Sequence, residues 1–292
     1  SLLLKALKTE AENLKDHEVS GLYNFEIASI YYQQSQQYQP KTNEDNRWKA
    51  KDAMAVCNGI IEKFPKSKAT EKSVVLKQQI EQQTLNIITE NFIPILQNAR
   101  VLVSYKNLDA LQFKIFKLTR NQLDKFNETY RKEEQLAFIK KLNVFNQWDS
   151  KLRNENDYQN HSTEIAIPKL NNGFYLIFAS TKNDDEIFAF STVQVTNLAL
   201  IETETETHKI FQVIDRNNGK PIVNTNVELT FTQNNTIKGL TQTVTTNQYG
   251  EIHIEKTKDR YRDVNAKIKY GNDTAYFGNY YIYQYYKREK ED

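Results

Sequence analysis

The feature that most constrains this chain is a change of hydrophobic period near Leu85. Before that point apolar residues recur every three or four positions, the spacing of one face of an α-helix. After it they recur every second position, the spacing of a half-buried β-strand.

In the helical block, Leu3, Leu4, Leu7, Ala11 and Leu14 fall on one face. Leu22, Ile27, Ala28 and Tyr31 mark a second helix, and the polar stretch Gln33–Asn46, interrupted by Pro40, reads as a loop. A third helix carries Ala53, Cys57, Ile60, Ile61 and Phe64 and is stopped by Pro65, since proline disfavours helical geometry in the residue before it. Ser67 is placed to cap a fourth helix running through Leu76 and Ile80. The run Ala53–Ser67 resembles the second half of a tetratricopeptide repeat, in which a small residue packs between helices and an aromatic–proline pair closes the turn. The likeness covers little more than one repeat, and the long Gln/Asn loop departs from it.

Beyond Leu85, Val101, Val103 and Tyr105 alternate with polar residues, as do Leu111, Phe113 and Ile115. The alternation then lapses. Leu123, Phe126 and Tyr130 form a helical stripe that Ile139, Leu142, Trp148 and Leu152 extend, so a helical insertion is expected. Strands resume at Ile165 and Ile167, Phe174–Phe178, Ile187–Phe190 and Val193–Val195, with Gly173 and Asn183-Asp184-Asp185 supplying turns. From Leu198 onward about seven short strands follow. Lys209–Ile214 and Val227–Phe231 flank the turn-rich Asp215–Pro221. Gln242–Thr246 and Ile252–Glu255 read as one hairpin, and Val264–Tyr270 and Thr274–Tyr281 as another. Short strands at regular spacing with one apolar face argue for an antiparallel sandwich.

Charge is nearly balanced, 39 Lys+Arg against 37 Asp+Glu, so no strong pull on nucleic acid or an anionic membrane is expected. Tyr (17) and Phe (15) are numerous enough to fill real cores. The single cysteine, Cys57, excludes an intrachain disulfide and leaves the redox compartment open. No apolar run approaches the roughly 18 residues of a membrane span. The chain starts at Ser1 inside an expected helix and ends in the charged run Lys287–Asp292, as a mature or trimmed fragment would.

Three stretches carry a further resemblance. The first is Asn171–Ala179 leading to Val193–Leu200, the second Val213–Ile222 with Val227-Glu-Leu-Thr230, the third Thr245–Ile254 with Gly271–Thr274. In order, and with the Val195-Thr196-Asn197-Leu198 junction, they are similar to the amino-terminal macroglobulin domains of bacterial alpha-2-macroglobulins. Taken singly, the second and third recur in many bacterial immunoglobulin-like sandwiches, because they encode turns. Full-length members of that family trap proteases when a bait region is cleaved, some through a Cys–Gln thioester. Cys57 is followed by Asn58-Gly59-Ile60 rather than by a Gln three residues on, so no thioester is expected in this chain, and no bait region is assigned.

The search for chemistry turns up little. His17, His161, His208 and His253 lie far apart and form no metal-binding spacing. Cys57, on an apolar stripe, reads as core rather than nucleophile. Asp215–Gly219 lacks the later acidic ligand of a calcium loop and reads as a turn, as does Asn183–Glu186. The tyrosine run near the end, with Tyr280, Tyr283 and Tyr285 foremost, offers a sugar-stacking or protein-binding surface; the competing reading is an edge strand whose alternate rings face the core.

The expected fold is multidomain α plus all-β. Residues 1–84 form a helical hairpin or tetratricopeptide-like module. Residues 85–196 form a macroglobulin-like sandwich with a helical insertion at about 120–155, and 197–292 a second immunoglobulin-like (macroglobulin) sandwich. The resemblance implies a non-catalytic scaffold fragment of a protease inhibitor of the cell envelope, periplasmic or secreted, without cofactor or metal. Its partners would be target proteases, met through the full-length parent, and other macroglobulin domains of the same chain. Nucleic acid is not expected, and a membrane only through an anchor outside this chain. The competing function is an adaptor binding a peptide, glycan or partner protein through a helical groove or the tyrosine-rich surface.

Overall fold

The computed structural model describes residues 2–182, 184–234 and 236–284, without the side chains of Asp184 and Asp185. Four helices open the chain: α1 (Leu2–Asn13), α2 (Val19–Ser35), α3 (Lys49–Lys63) and α4 (Lys68–Glu81). Successive helices pack on one another, and α2 also touches α4. The core between them is small-residue rich: Ala28, Ala50, Ala53, Met54, Cys57, Leu76 and Ile80. Gly21 lets α2 come close to the α3–α4 turn, since a Cβ there would sit 3.0 Å from Ala69 Cβ and 3.2 Å from the Phe64 ring. Ser67 caps α4 as its sequence position suggests, its hydroxyl accepting from Thr70 N at 3.1 Å.

Two helical expectations need correction. The polar loop starts later, because α2 continues to Ser35. The stripe of α1 is only partly covered: Ala11 is buried and Leu4 and Leu7 half-buried, but Leu3 is 61% exposed. Among the described residues α2 is the main neighbour of α1, so the apolar face is wider than the surface that covers it.

The strand block begins with β1 (Thr84–Ile88), β2 (Phe92–Ile93), β3 (Ala99–Lys106) and β4 (Ala110–Leu118). Helices α5 (Arg120–Asn127) and α6 (Lys132–Ile139) follow, then β5 (Val144–Lys151), β6 (His161–Ile167), β7 (Gly173–Thr181) and β8 (Asp184–Val195). They form two facing sheets, β1-β3-β6 and β2-β8-β7-β4-β5. Val101, Val103, Tyr105, Leu111, Phe113 and Ile115 point into the core between them, as their alternation requires. The outer face of the larger sheet is covered by α5 and α6, through Phe126 and Ile139 against Phe116, Leu176, Phe178 and Phe188. Strand β7 is therefore buried on both faces from Phe174 to Ser180, which is why Phe174–Ala179 reads as unbroken apolar sequence.

The helical insertion is shorter than its stripe suggests. Trp148 lies on β5, not on a helix, and stacks on its cross-strand neighbour Phe113 with ring centroids 4.9 Å apart. As an edge strand exposed over most of its length, β5 carries almost no alternation to recognise. Ile187–Phe190 and Val193–Val195 likewise belong to one continuous strand, β8. Of the turn expected at Asn183–Glu186, Asn183 lies outside the described residues, while Asp184 already pairs with Thr181.

The third block comprises β9 (Leu198–Glu204), β10 (His208–Asp215), β11 (Asn226–Gln233), β12 (Ile237–Thr245), β13 (Glu251–Glu255), β14 (Tyr261–Tyr270) and β15 (Asp273–Ile282). They make a second antiparallel sandwich, β13-β10-β9 against β12-β11-β14-β15, around Phe211, Val213, Val227, Leu229, Ile252 and Ile268. Strands β14 and β15 form the expected hairpin. The segments flanking Asn247–Gly250 do not: β12 pairs with β11 while β13 pairs with β10, so that turn crosses from one sheet to the other. Gly250 makes the crossing possible. Its φ is +72°, and a Cβ would lie 2.7 Å from Val213 O and 2.9 Å from Pro221 Cβ.

Candidate interaction surfaces

The polar groups with most to do lie at two joints and one cleft. At the first joint the helical module meets the central sandwich. Helix α4 runs almost directly into β1, and its last carbonyls are capped from the β3–β4 turn. Lys106 Nζ donates to Gln79 O at 3.3 Å, and Asn107 Nδ2 to Ile80 O at 2.9 Å. Lys106 is buried, and burial pulls its pKa down. On the other side, Arg47 Nε donates to Asp157 Oδ2 at 2.9 Å and the same guanidinium pairs with Glu155. Asp157, 1% exposed, also meets His161 Nε2 at 2.8 Å and accepts from Gln159 N at 3.1 Å. Burial alone would raise the Asp157 pKa; the hydrogen bonds from His161, Arg47 and Gln159 more than offset it and hold the carboxyl below its usual value. Gln159 Nε2 completes the joint, donating to Arg47 O at 3.0 Å and to Ser35 O at 3.3 Å.

The second joint, between the sandwiches, is built from neutral donors around one carboxylate. Asp273 is 8% exposed. It receives Thr196 Oγ1 at 2.8 and 2.9 Å, Asn197 N at 2.7 Å and Asn172 Nδ2 at 2.6 Å. Asn172 also takes both backbone groups of Thr274: its Nδ2 lies 3.1 Å from Thr274 O, and its Oδ1 accepts from Thr274 N at 3.1 Å. Gln194 treats Tyr276 the same way, at 3.3 Å to the carbonyl and 3.1 Å from the N–H. Apolar contact joins in. On the two-residue strand β2, Ile93 enters the first sandwich's core, while Phe92 packs on the second's, its ring 5.2 Å from Phe277.

The cleft lies on the second sandwich, a space of about 690 Å³ lined by Glu202, Glu204, Lys209, Arg260, Arg262, Tyr280, Tyr281 and Tyr283, among others. Of the tyrosines singled out from sequence, it brings Tyr280 and Tyr283 together; Tyr285 lies outside the described residues. Tyr280 is half core, its ring 4.9 Å from Phe211, and burial, with Glu202 nearby, raises its pKa. Tyr281 is half exposed. Glu204 is held below the usual carboxylate range by its hydrogen bond from Lys256 and by the charges of Lys209 and Lys256. Lys209 pairs with Glu202 as well. The strand thus places one ring inward, Tyr280, and the next outward, Tyr281.

Cys57 and Asp215 are both engaged by the fold itself. Cys57 is fully buried, and burial pushes its thiol pKa up. Asp215 caps its own turn, accepting from Asn217 N at 2.8 Å and Asn218 Nδ2 at 3.1 Å. Among the described residues no three His, Cys, Asp or Glu side chains gather as metal ligands. No helix of the described chain is long and apolar enough to cross a membrane.

No family model matches the chain, and no curated protein matches it. Among solved structures it is similar to native alpha-2-macroglobulin from Escherichia coli spanning domains MG0-NIE-MG1, at 13% identity and a TM-score of 0.48, over 68% of this chain and 64% of that one. The NIE-MG1 fragment of the same protein matches at 12% identity and a TM-score of 0.47, over 68% of this chain and 97% of that one. The native conformation seen by cryo-EM matches at 10% identity and a TM-score of 0.41, over 68% of this chain and 13% of that one.

Proposed function

We propose that this chain is a non-catalytic scaffold segment of a bacterial alpha-2-macroglobulin-like protease inhibitor of the cell envelope. The observation that carries the reading is where the resembling stretches fall. Asn172, Gln194, Thr196 and Asn197 belong to the first and Asp273 and Thr274 to the third, and these same residues bond across the joint between the sandwiches. The likeness thus lies in the parts that fix one domain on the next, which is what a scaffold of serial sandwiches needs. The test uses the full-length parent. After exposure to a broad-specificity protease it should shield that protease from protein-sized substrates while small peptides are still cleaved. The isolated chain should leave both activities unchanged. Inhibition by the chain alone, or a parent that is degraded without shielding anything, would refute the proposal.

The cleft favours a second reading, an adaptor that binds a peptide or glycan on Tyr280 and Tyr283. A peptide and glycan screen on the isolated chain tests it. Because Tyr280 also packs in the core, Tyr283→Ala is the cleaner variant. Saturable binding lost in that variant supports the adaptor, and silence across the screen removes it.

A further inference from the structure

We propose that Asn172 and Gln194 are edge guards: their side-chain amides stand in for a neighbouring strand along β15, fixing the two sandwiches at one angle and denying that edge to a second copy of this chain. Strand β15 ends the order β12-β11-β14-β15, so its outward N–H and C=O groups have no strand to pair with. Alternate residues of a strand present their backbone groups to the same side. Here Ala275 pairs inward with Ile268 of β14, while Thr274 and Tyr276 face the first sandwich. A primary amide carries one donor end and one acceptor end, as a peptide unit does. Asn172 accepts from Thr274 N and shares a hydrogen with Thr274 O, its two amide hydrogens also serving Asp273 Oδ1 and Val195 O, and Gln194 takes both groups of Tyr276. Three full hydrogen bonds and one shared thus continue the ladder with no strand present.

The guards are themselves held. Asn172 Nδ2 also reaches Val195 O at 2.7 Å, and Gln194 is buried on β8, on the face opposite the core valines Val193 and Val195. Just past the guarded stretch the edge is broken. The register slips between Ala266↔Phe277 and Val264↔Tyr280, placing Gly278 and Asn279 in a bulge, with Asn279 at φ +69°. Side-chain cover followed by a bulge is how natural sheets blunt a free edge. A bare β15 is self-complementary, because antiparallel pairing of one edge with its copy satisfies two-fold symmetry. A second copy is therefore the occupant the guards exclude.

The test is a spin-label distance measurement on the full chain, with Glu164→Cys in the first sandwich and Lys238→Cys in the second. Both positions are exposed, and Cys57 is buried from the label. The otherwise unchanged chain should give one narrow distance and sediment as a monomer. Asn172→Ala with Gln194→Ala should broaden the distribution by about twofold, as for unrestrained neighbouring domains, and yield a concentration-dependent dimer. Gln194→Glu, which keeps the acceptor for Tyr276 N–H but loses the donor to its carbonyl, should fall between and serves if the double variant does not fold. Thr196→Val removes a donor to Asp273 but leaves both guards, and should remain narrow and monomeric. A broad distance before any guard is removed, a double variant as narrow as its parent, or broadening without a dimer would overturn the proposal.

Discussion

The central sandwich holds its two neighbours by opposite chemistry. Toward the helices it uses charge: Arg47 bridges Glu155 and Asp157, and His161 backs Asp157. Toward the second sandwich it uses neutral amides and hydroxyls around Asp273, with Phe92 as an apolar plug. A joint made of ion pairs depends on pH and salt, and fails badly when one partner is lost. A joint whose one carboxylate is met by neutral donors and ring contact carries no direct ion pair for salt to screen and loses strength in smaller steps. The difference makes the attachment of the helical module the more salt-dependent of the two.

The hardest blow to this contrast is Asp157→Ala. Breaking a buried pair by removing one partner costs about 3–5 kcal/mol, and because Arg47 is partly exposed and keeps Glu155 the lower end applies, about 3 kcal/mol. The variant should unfold earlier in urea and be nicked by protease near Gln82 and Gln83, while the second sandwich keeps its stability. Asp273→Ala comes next. It strips a carboxylate from three donors; at about 1.5–3 kcal/mol for each bond to a charged group, less the relief from no longer burying that charge and some recovery by water, the net loss should be about 2 kcal/mol. Equal losses in the two variants would erase the distinction between the joints.

What local sequence reveals about these joints is instructive. The cores are legible because burial on one face imposes a period, and the alternation of Val101, Val103 and Tyr105 alone places them inside. The period fails where burial is not one-sided. Strand β5 is exposed at the sheet edge, so Trp148 reads as part of the helical stripe preceding it, and β7 is buried on both faces. The turn at Asn247–Gly250 was legible as a turn but not as a crossing, because the sheet that β13 joins depends on β10, about forty residues earlier in the chain. The joints were hidden for the same reason. Arg47 and Asp157 are 110 residues apart, and Asn172 and Asp273 101. The Val195–Leu198 junction stood out only through resemblance, and Gln194 only in hindsight, as a polar residue between two buried valines.

Titration should sharpen the contrast with smaller effects. The folded-state pKa of Asp157 lies below its unfolded value of about 3.9, so its contribution is complete above that value and is lost as pH falls through the folded pKa. Lys106 works at the other end. Its folded pKa is lowered, so the charged form burdens the fold at neutral pH, and stability rises as pH climbs through that folded value toward the unfolded one of about 10.4. Lys106→Met should abolish the alkaline gain. At pH 7 it should raise stability by up to about 1 kcal/mol, since relief from burying a charge exceeds the lost bond to Gln79 O. An unchanged alkaline limb in this variant would remove Lys106 from the argument.

Ionic strength gives the smallest effect and the most selective one. The Arg47–Glu155 side chains are about a quarter exposed, so salt reaches them; the screening length falls from about 10 Å at 0.1 M to about 3 Å at 1 M. A partly exposed pair should lose only a few tenths of a kcal/mol. The chain carries its own reporter, because the Arg47 guanidinium lies 5.1 Å from the centre of the Trp48 ring, and Trp148→Phe would leave Trp48 as the sole indole. Salts such as sulfate strengthen burial everywhere, so sodium chloride is the better choice. Raising it from 0.1 to 1 M should lower the urea midpoint seen by Trp48 while leaving the distance between labels on the two sandwiches unchanged. If both signals moved together, the ion pairs would be incidental and apolar contact would be holding both joints alike.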